Sequence, residues 1–423
     1  MPLDLLWMAP ALSGGGYASE AISFAQGLAP QLHAFALRQF AEQPAEDFVA
    51  GFATEVTSAI RDVYEPPNAS PSLMSTRRAP DVVVCHSPPD AWVPSKFPGW
   101  DELSPCPPPG QKRKQLIVGR TMFETDSIPL DWATRCEKMD AIWVPTRFHQ
   151  DAFRRAGVSA DKLFVLGEAV DATFFDPSKT TPLALPTTAA AAPPPFRFLS
   201  IFKWEQRKGW DALLAAYFAE FRADDHVELV LKTRPFHSDG DFVSIIDAFA
   251  AERGLPARRA ERPAVRVLDE EMTMVELRSL YAAADAFVLP SRGEGWGRPH
   301  VEAMAMALPV LATNWSGPTS YLDDDVGYPL PCAVVAVPDE LNLPGHHWAE
   351  PSVSELRARM RRLYDHPDEG KRKGAAARQR MVSHFSPTAL ADEVLRLVDA
   401  SKKVKEEAAA ARRAARGTAK QEL

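Results

Sequence analysis

Short, nearly continuous apolar runs recur along this chain, and they constrain its fold more than any other feature. The first half holds LDLLWM, DVVVCH, QLIVGR, DAIWVP and KLFVLG; the second holds FRFLSI, VELVLKT, VRVLD, DAFVLP and PVLAT. Strands that alternate apolar and polar residues have one wet face. Continuous runs of this length belong to parallel strands covered on both faces. Helical stretches lie between several of them. Residues 209–222, GWDALLAAYFAEFR, put Leu213, Leu214, Tyr217, Phe218 and Phe221 on one side. MVELRSLYAAA at 274–284 is another such stretch, and 149–156 a shorter one. Strands alternating with helices predict a doubly wound α/β architecture.

At 423 residues the chain exceeds one comfortable core and suits two domains of about 200 residues each. The break is expected at TTPLALPTTAAAAPPP, residues 180–195, where proline and alanine supply no core. The expected division is a Rossmann-like domain over 1–178, a linker or loop over 179–195 and a second Rossmann-like domain over 196–385. A helical segment with a charged tail follows over 386–423; lacking an apolar stripe, the tail is expected to fray or project. DELSPCPPPGQKRK, 101–114, is expected to be an inserted loop, with a lid as the alternative.

A formal charge of -8 argues against a broad nucleic-acid interface. The N-terminal stretch has no basic leader and no run reaches 18 apolar residues, so a cytoplasmic protein without a membrane span is expected. Cys85, Cys106, Cys136 and Cys332 form no CxxC pair. Free thiols and no zinc site are therefore expected.

Candidate chemistry gathers where the apolar runs end. After LLWMAP, the contiguous Gly14, Gly15 and Gly16 permit a tight turn and close approach of backbone N–H groups to an anion. They do not make the GxGxxG dinucleotide pattern. His86 ends DVVVCH, a position where open α/β sheets meet ligands; a satisfied structural histidine is the alternative. Asp90, Arg120, Glu124 and Asp126 are weaker candidates nearby. In FKWEQRKGW, Lys203 and Lys208 can converge on one diphosphate, with Lys232 and Arg234 as second choices. Fixed cations there stabilise a departing diphosphate most in the transition state. In SRGEGWGRPHVEAMAMA, Pro299 suits the first turn of a helix, and Glu302 is expected in that same turn, where it can hold ribose hydroxyls. Glu294 lies eight residues earlier, among Gly293, Gly295 and Gly297, and can reach the ligand beyond its phosphates.

Taken together, KWEQRKGW and the Glu-x7-Glu spacing of Glu294 and Glu302 resemble the signature of retaining glycosyltransferases of family 4, also called group 1. The Gly-rich N-terminal loop, VPTRFHQDAFRRAGV and GEAVDATFF extend the resemblance over nearly the whole chain. Two departures stand out. Lys203 replaces the usual arginine, which keeps the charge but loses the bidentate fork, and EAVD replaces the usual EGVD at 168–171.

The resemblance implies the GT-B fold, two Rossmann-like domains facing each other across a cleft. It implies transfer of a sugar from a UDP- or GDP-sugar to a sugar or other hydroxyl acceptor, with retention and without a metal. By the same resemblance, Glu294 contacts the donor sugar with Gly295 beside it, Glu302 holds the ribose, and Lys203 and Lys208 hold the diphosphate. The loop at Gly317 and Pro318 lies under the donor. Gly15 and Gly16 border the donor, and His86 meets the sugar or acceptor from the other domain. Rival readings are a GT-B phosphorylase, a sugar-nucleotide epimerase and a non-catalytic sugar-nucleotide-binding scaffold.

Overall fold

The computed structural model describes residues 3–45, 60–67, 73, 75–100, 104–186, 194–236 and 240–421, with side chains up to residue 414. Part of the expected linker, 187–193, lies outside the described residues. Contacts divide the chain into two units, Met1–Ala169 with Phe385–Leu423, and Val170–His384.

The first unit is built on a seven-stranded parallel sheet. Its strands are β1 (Asp4–Ala9), β2 (Ala34–Gln39), β3 (Tyr64–Glu65), β4 (Val82–His86), β5 (Leu116–Arg120), β6 (Ala141–Val144) and β7 (Leu163–Val165), in the order β3-β2-β1-β4-β5-β6-β7. Every residue of β1, β4, β5 and β6 is buried, as continuous apolar runs require. Helices α1 (Gly16–Leu28), α2 (Trp132–Cys136) and α3 (Arg147–Arg155) connect them. Thr146 caps α3 by accepting from the His149 N–H.

The second unit carries a six-stranded parallel sheet of β8 (Phe196–Trp204), β9 (Val227–Pro235), β10 (Ala264–Leu268), β11 (Ala286–Leu289), β12 (Val310–Thr313) and β13 (Tyr328–Leu330). Their order is β10-β9-β8-β11-β12-β13. A separate antiparallel pair follows, β14 (Cys332–Ala336) and β15 (His347–Pro351). Its helices are α4 (Trp210–Glu220), α5 (Phe242–Glu252), α6 (Met274–Ala282), α7 (Arg298–Ala305), α8 (Val353–Asp365) and α9 (Pro367–His384). A capping box of Thr273 and Glu276 starts α6.

The last helix, α10 (Pro387–Gln421), returns to the first unit and packs along α1. A Cβ on Gly27 would stand 2.1 Å from the Pro387 carbonyl oxygen, so only glycine lets the two helices approach this closely. The tail stays helical to Gln421, and its start is anchored at Ser401 and Lys405. Trp143 Nε1 donates to Ser401 Oγ at 3.2 Å, and Lys405 pairs with Asp140 at 2.7 Å. Polar anchoring takes the place of the apolar stripe.

The cysteines correct a second expectation. Cys85 and Cys106 form a disulfide, with Cα atoms 5.7 Å apart, while Cys136 and Cys332 are free. The segment after β4 turns back beside the strand, where the Val93 N–H donates to the Cys106 carbonyl, and this return brings the sulfurs together. Disulfides persist in oxidising surroundings, so the bond runs against the cytoplasmic expectation.

Candidate functional site

In the second unit the chain leaves β8 toward β9 and β10 on one side, and β11, β12 and β13 lie on the other. The switch in direction falls between β8 and β11. Loops at the strands' C-terminal ends diverge there, which is where open sheets receive ligands. Lys203 and Lys208 belong to the end of β8 and the turn after it, and Glu294 to the loop after β11.

These two loops are stitched together. Gly209 adopts φ 66°, and a Cβ there would stand 2.1 Å from the Pro290 carbonyl oxygen. The Arg292 N–H donates to the Arg207 carbonyl at 2.6 Å. The buried Arg292 guanidinium bonds both oxygens of Asp211 at 2.8 Å, both of Glu350 at 2.7 and 2.9 Å, and the Gln206 carbonyl at 2.6 Å. Burial opposes its charge, but the two carboxylates outweigh burial and hold its pKa up. Sequence reasoning missed this residue. Its one local signal is an arginine two positions beyond a buried strand's terminal proline.

Glu294 is 6% exposed. Lys208 Nζ donates to its Oε1 at 2.8 Å and its Oε2 at 2.9 Å, while Arg207 lies 3.4 Å from Oε2 and donates to the Gly293 carbonyl at 2.7 Å. Burial pushes the carboxyl up, but Lys208, Arg207 and His300 together hold it down at about 2. The backbone around it is equally fixed. Glu294 N–H donates to Ser316 Oγ at 3.0 Å, and Gly317 N–H donates to the Glu294 carbonyl at 3.1 Å. A Cβ on Gly317 would lie 2.5 Å from the Trp296 carbonyl oxygen, so the third loop can approach only with glycine there. Gly295 lies buried within the same loop.

Helix α7 begins at Arg298 after Gly297 at φ 102°, with Pro299 second. Glu302 is therefore in the second turn, not the first, because the helix extends C-terminally from a start set by Gly297. Its partners are side chains rather than helix N–H groups. Tyr281 OH donates to Oε2 at 3.0 Å, and Arg298 stands 3.9 Å from Oε1. Burial pushes its pKa above the ordinary value against the opposing pull of Arg298 and Tyr281.

Lys203 Nζ sits 4.8 Å from the centre of the Phe236 ring. Burial and then the charge of Arg234 push its pKa down. Lys232 Nζ donates to the Glu270 carbonyl at 2.6 Å, and Arg234 is exposed.

The first sheet has its own switch point, between β1 and β4. Gly14, at φ 81°, turns the chain there; Gly15 caps α1 and Gly16 starts it. A Cβ on Gly15 or Gly16 would meet nothing within 4 Å, so both border open space. His86 is fully buried, and both ring nitrogens are engaged. Trp7 Nε1 donates to Nδ1 at 3.0 Å, which makes Nε2 the protonated nitrogen that donates to Glu20 at 2.9 Å. Glu20 also receives Arg120 Nε at 2.7 Å. Burial and the Arg120 charge favour the neutral imidazole over the pull of Glu20. This is the geometry of a satisfied histidine, with the Tyr17 ring set edge-on at 5.1 Å. Asp90 accepts from Trp132 Nε1 at 3.0 Å and pairs with Lys96 at 2.8 Å. Arg120 turns inward to the Leu166 carbonyl at 2.7 Å, while Glu124 and Asp126 stand on the loop after β5.

Among the described residues no group of three or more His, Cys, Asp or Glu is placed to hold a metal ion, and no helix is long and apolar enough to cross a membrane.

A family described as "Glycosyl transferases group 1" matches residues 194–341, the segment carrying β8 to β13 and all three stitched loops. The MMP alpha-(1->4)-mannosyltransferase of Mycolicibacterium hassiacum is 35% identical over 111 residues, 26% of this chain and 23% of its own length. The chain thus matches under a quarter of that curated relative. Over nearly the full chain, the structure resembles HepE of Anabaena, solved with UDP and glucose, at TM-score 0.64 and 15% identity, covering 94% of this chain and 99% of that one. A glycosyltransferase from Rickettsia africae ESF-5 aligns at TM-score 0.63 and 16% identity, covering 95% and 98%. The lipopolysaccharide outer core galactosyltransferase WaaB aligns at 0.55 and 15%, covering 94% and 99%. The fold is that of the GT-B glycosyltransferase superfamily.

Proposed function

We propose that this chain of GT-B glycosyltransferase fold moves a sugar from a nucleoside diphosphate sugar to a hydroxyl acceptor, with retention at the anomeric carbon. The observation that carries the reading is the Lys208–Glu294 pair at the switch point of the second sheet, with Arg207 beside it. The UDP held by HepE supports a UDP-sugar as donor, with a GDP-sugar as the second candidate.

In this reading Glu302 accepts hydrogen bonds from the ribose, with Tyr281 fixing its orientation. Lys203 and Lys208 face the diphosphate. As the glycosidic bond breaks, negative charge accumulates on the leaving phosphate, and cations already in place stabilise that state without reorganising. The lysines supply this charge without a metal. Gly295 lets the loop backbone come close to the donor. Glu294 is held ionised by Lys208 and orients donor hydroxyls; an anion so paired is a poor nucleophile. The leaving phosphate then stays on the attacked face and takes the acceptor proton, which gives retention. His86 acts through Glu20 and Tyr17 as a positioning residue, because neither ring nitrogen is available to a reactant.

The experiment is thermal unfolding with a panel of nucleotides and nucleotide sugars, without added metal. A ligand that binds only the folded state raises the apparent Tm. A shift with one diphosphate that disappears in Glu302→Ala and Lys208→Ala is expected. No shift with any of them refutes the proposal.

A further inference from the structure

The first unit contains a cavity of about 320 Å³ whose lining includes none of Gly14, Gly15 and Gly16. One wall is Pro107 to Pro109, just before β5; the facing wall includes Met139, just before β6. Trp92 and Val93 complete the apolar lining. The indole of Trp92 lies over the sheet, where a Cβ on Gly119 would stand 2.4 Å from its ring.

Three features describe what the cavity accepts. None of its lining residues is acidic, in a chain of net charge -8. Its polar lining is Arg135, Gln111 and Lys138. Arg135 is already committed to Asp131 and to the carbonyls of Trp92 and Pro94, so it serves as wall. Lys138 is exposed, and its acidic sequence neighbours are taken: Glu137 pairs with Lys162 at 2.9 Å and Asp140 with Lys405 at 2.7 Å. Lys138 is thus a cavity-lining cation whose acidic sequence neighbours are paired elsewhere. Exposed Lys112, Arg113 and Lys114 continue directly from the lining residue Gln111.

The cavity is also preorganised. Cys106, immediately before the proline wall, is bonded to Cys85 in β4. At the other end of the wall the Lys112 N–H donates to Gln115 Oε1 at 2.6 Å, and Gln115 Nε2 donates to the Pro80 carbonyl at 2.8 Å. Walls fixed at both ends lose little freedom on binding, so a small ligand keeps more of its interaction energy.

We propose that this cavity is an accessory binding site for a small organic anion with a flat apolar body, its charge on Lys138 and its body against Val93 and the prolines, with the buried Trp92 as the floor behind them. The volume, at the low end for ligand sites, suits a molecule of about ten heavy atoms. The proposal is independent of the transferase reading.

The test uses 4-fluorobenzoate as the probe on the full-length chain, followed by 19F line broadening. Lys138→Glu, a change at an exposed position, should weaken binding at least tenfold, and raising NaCl from 50 to 500 mM should weaken it several-fold. Val93→Trp, which fills the mouth, should abolish it. Lys403→Glu, on the exposed face of α10, should leave it unchanged. Equal binding of neutral 4-fluorobenzamide, or unchanged affinity in Lys138→Glu with an unchanged Tm, overturns the proposal. If Val93→Trp fails to fold, Lys138→Glu and the benzamide comparison still decide it.

Discussion

Removing the ammonium of Lys208 should harm the second unit more than removing the carboxylate it holds. Glu294 is 6% exposed, and its carboxyl is held at about 2 against an ordinary value near 4.5. Each tenfold in an ionisation constant is ~1.4 kcal/mol, so this displacement contributes on the order of 3 kcal/mol to folding at neutral pH. The sign follows from the direction. A carboxyl depressed in the folded state adds its full stability above about 4.5 and loses it as the pH falls through about 2.

In Lys208→Met the carboxylate stays buried with Arg207 at 3.4 Å as its nearest cation, and a loss of about 3 kcal/mol is expected. Glu294→Gln keeps the shape and leaves a lysine whose flexible stem lets it turn toward water, so about 1 kcal/mol is expected. The double variant should then resemble Glu294→Gln alone, with a coupling of about 3 kcal/mol. Urea unfolding of the four chains, followed by tryptophan fluorescence at pH 7, measures it. A coupling below about 0.5 kcal/mol would refute the reasoning. So would Glu294→Gln and parent stabilities that run parallel from pH 5 down to 2.

Three further outcomes are expected. Gly317→Ala puts a methyl 2.5 Å from the Trp296 carbonyl, so it should displace the Glu294 loop and weaken nucleotide binding about tenfold with far-UV circular dichroism retained; unchanged calorimetric affinity contradicts this. Tyr281→Phe removes a hydrogen bond that lowers the Glu302 pKa, so the acid limb of nucleotide binding should move to higher pH; a move to lower pH rules out the assigned role. Unreduced, denatured chain should titrate two thiols of its four cysteines, rising to four after reduction, and Cys106→Ser should cost about 3 kcal/mol; four thiols without reductant would exclude the bond.

All ten apolar runs read from the sequence are strands, because a strand covered on both faces writes its burial into every residue. Strand β2, AFALRQ, escaped that reading. Its Arg38 and Gln39 are buried polar residues, and Arg38 is tolerable there only because Glu65, 27 residues on, meets it. Strand β13 was hidden by Pro329, which a sheet edge accommodates. The candidate site divides in the same way. Lys203, Lys208 and Glu294 could be picked out as candidates because strand ends and glycines mark the edge at which parallel sheets generally meet ligands, and such marks are local.

What each residue does at that edge was not legible. The chain leaves open whether Lys208 meets a diphosphate or Glu294, since they are 86 positions apart and only the adjacency of β8 and β11 joins them. His86 reads as a ligand residue until Glu20 and Trp7 close around it, and Cys85 reads as a free thiol until the loop after β4 returns. The sequence by itself determined the ten continuously buried strands and the loops that end them, because periodicity and glycine act over a few residues. Only the tertiary structure decided which charges pair and which nitrogens are occupied, because those depend on groups brought together by sheet order rather than by position in the chain.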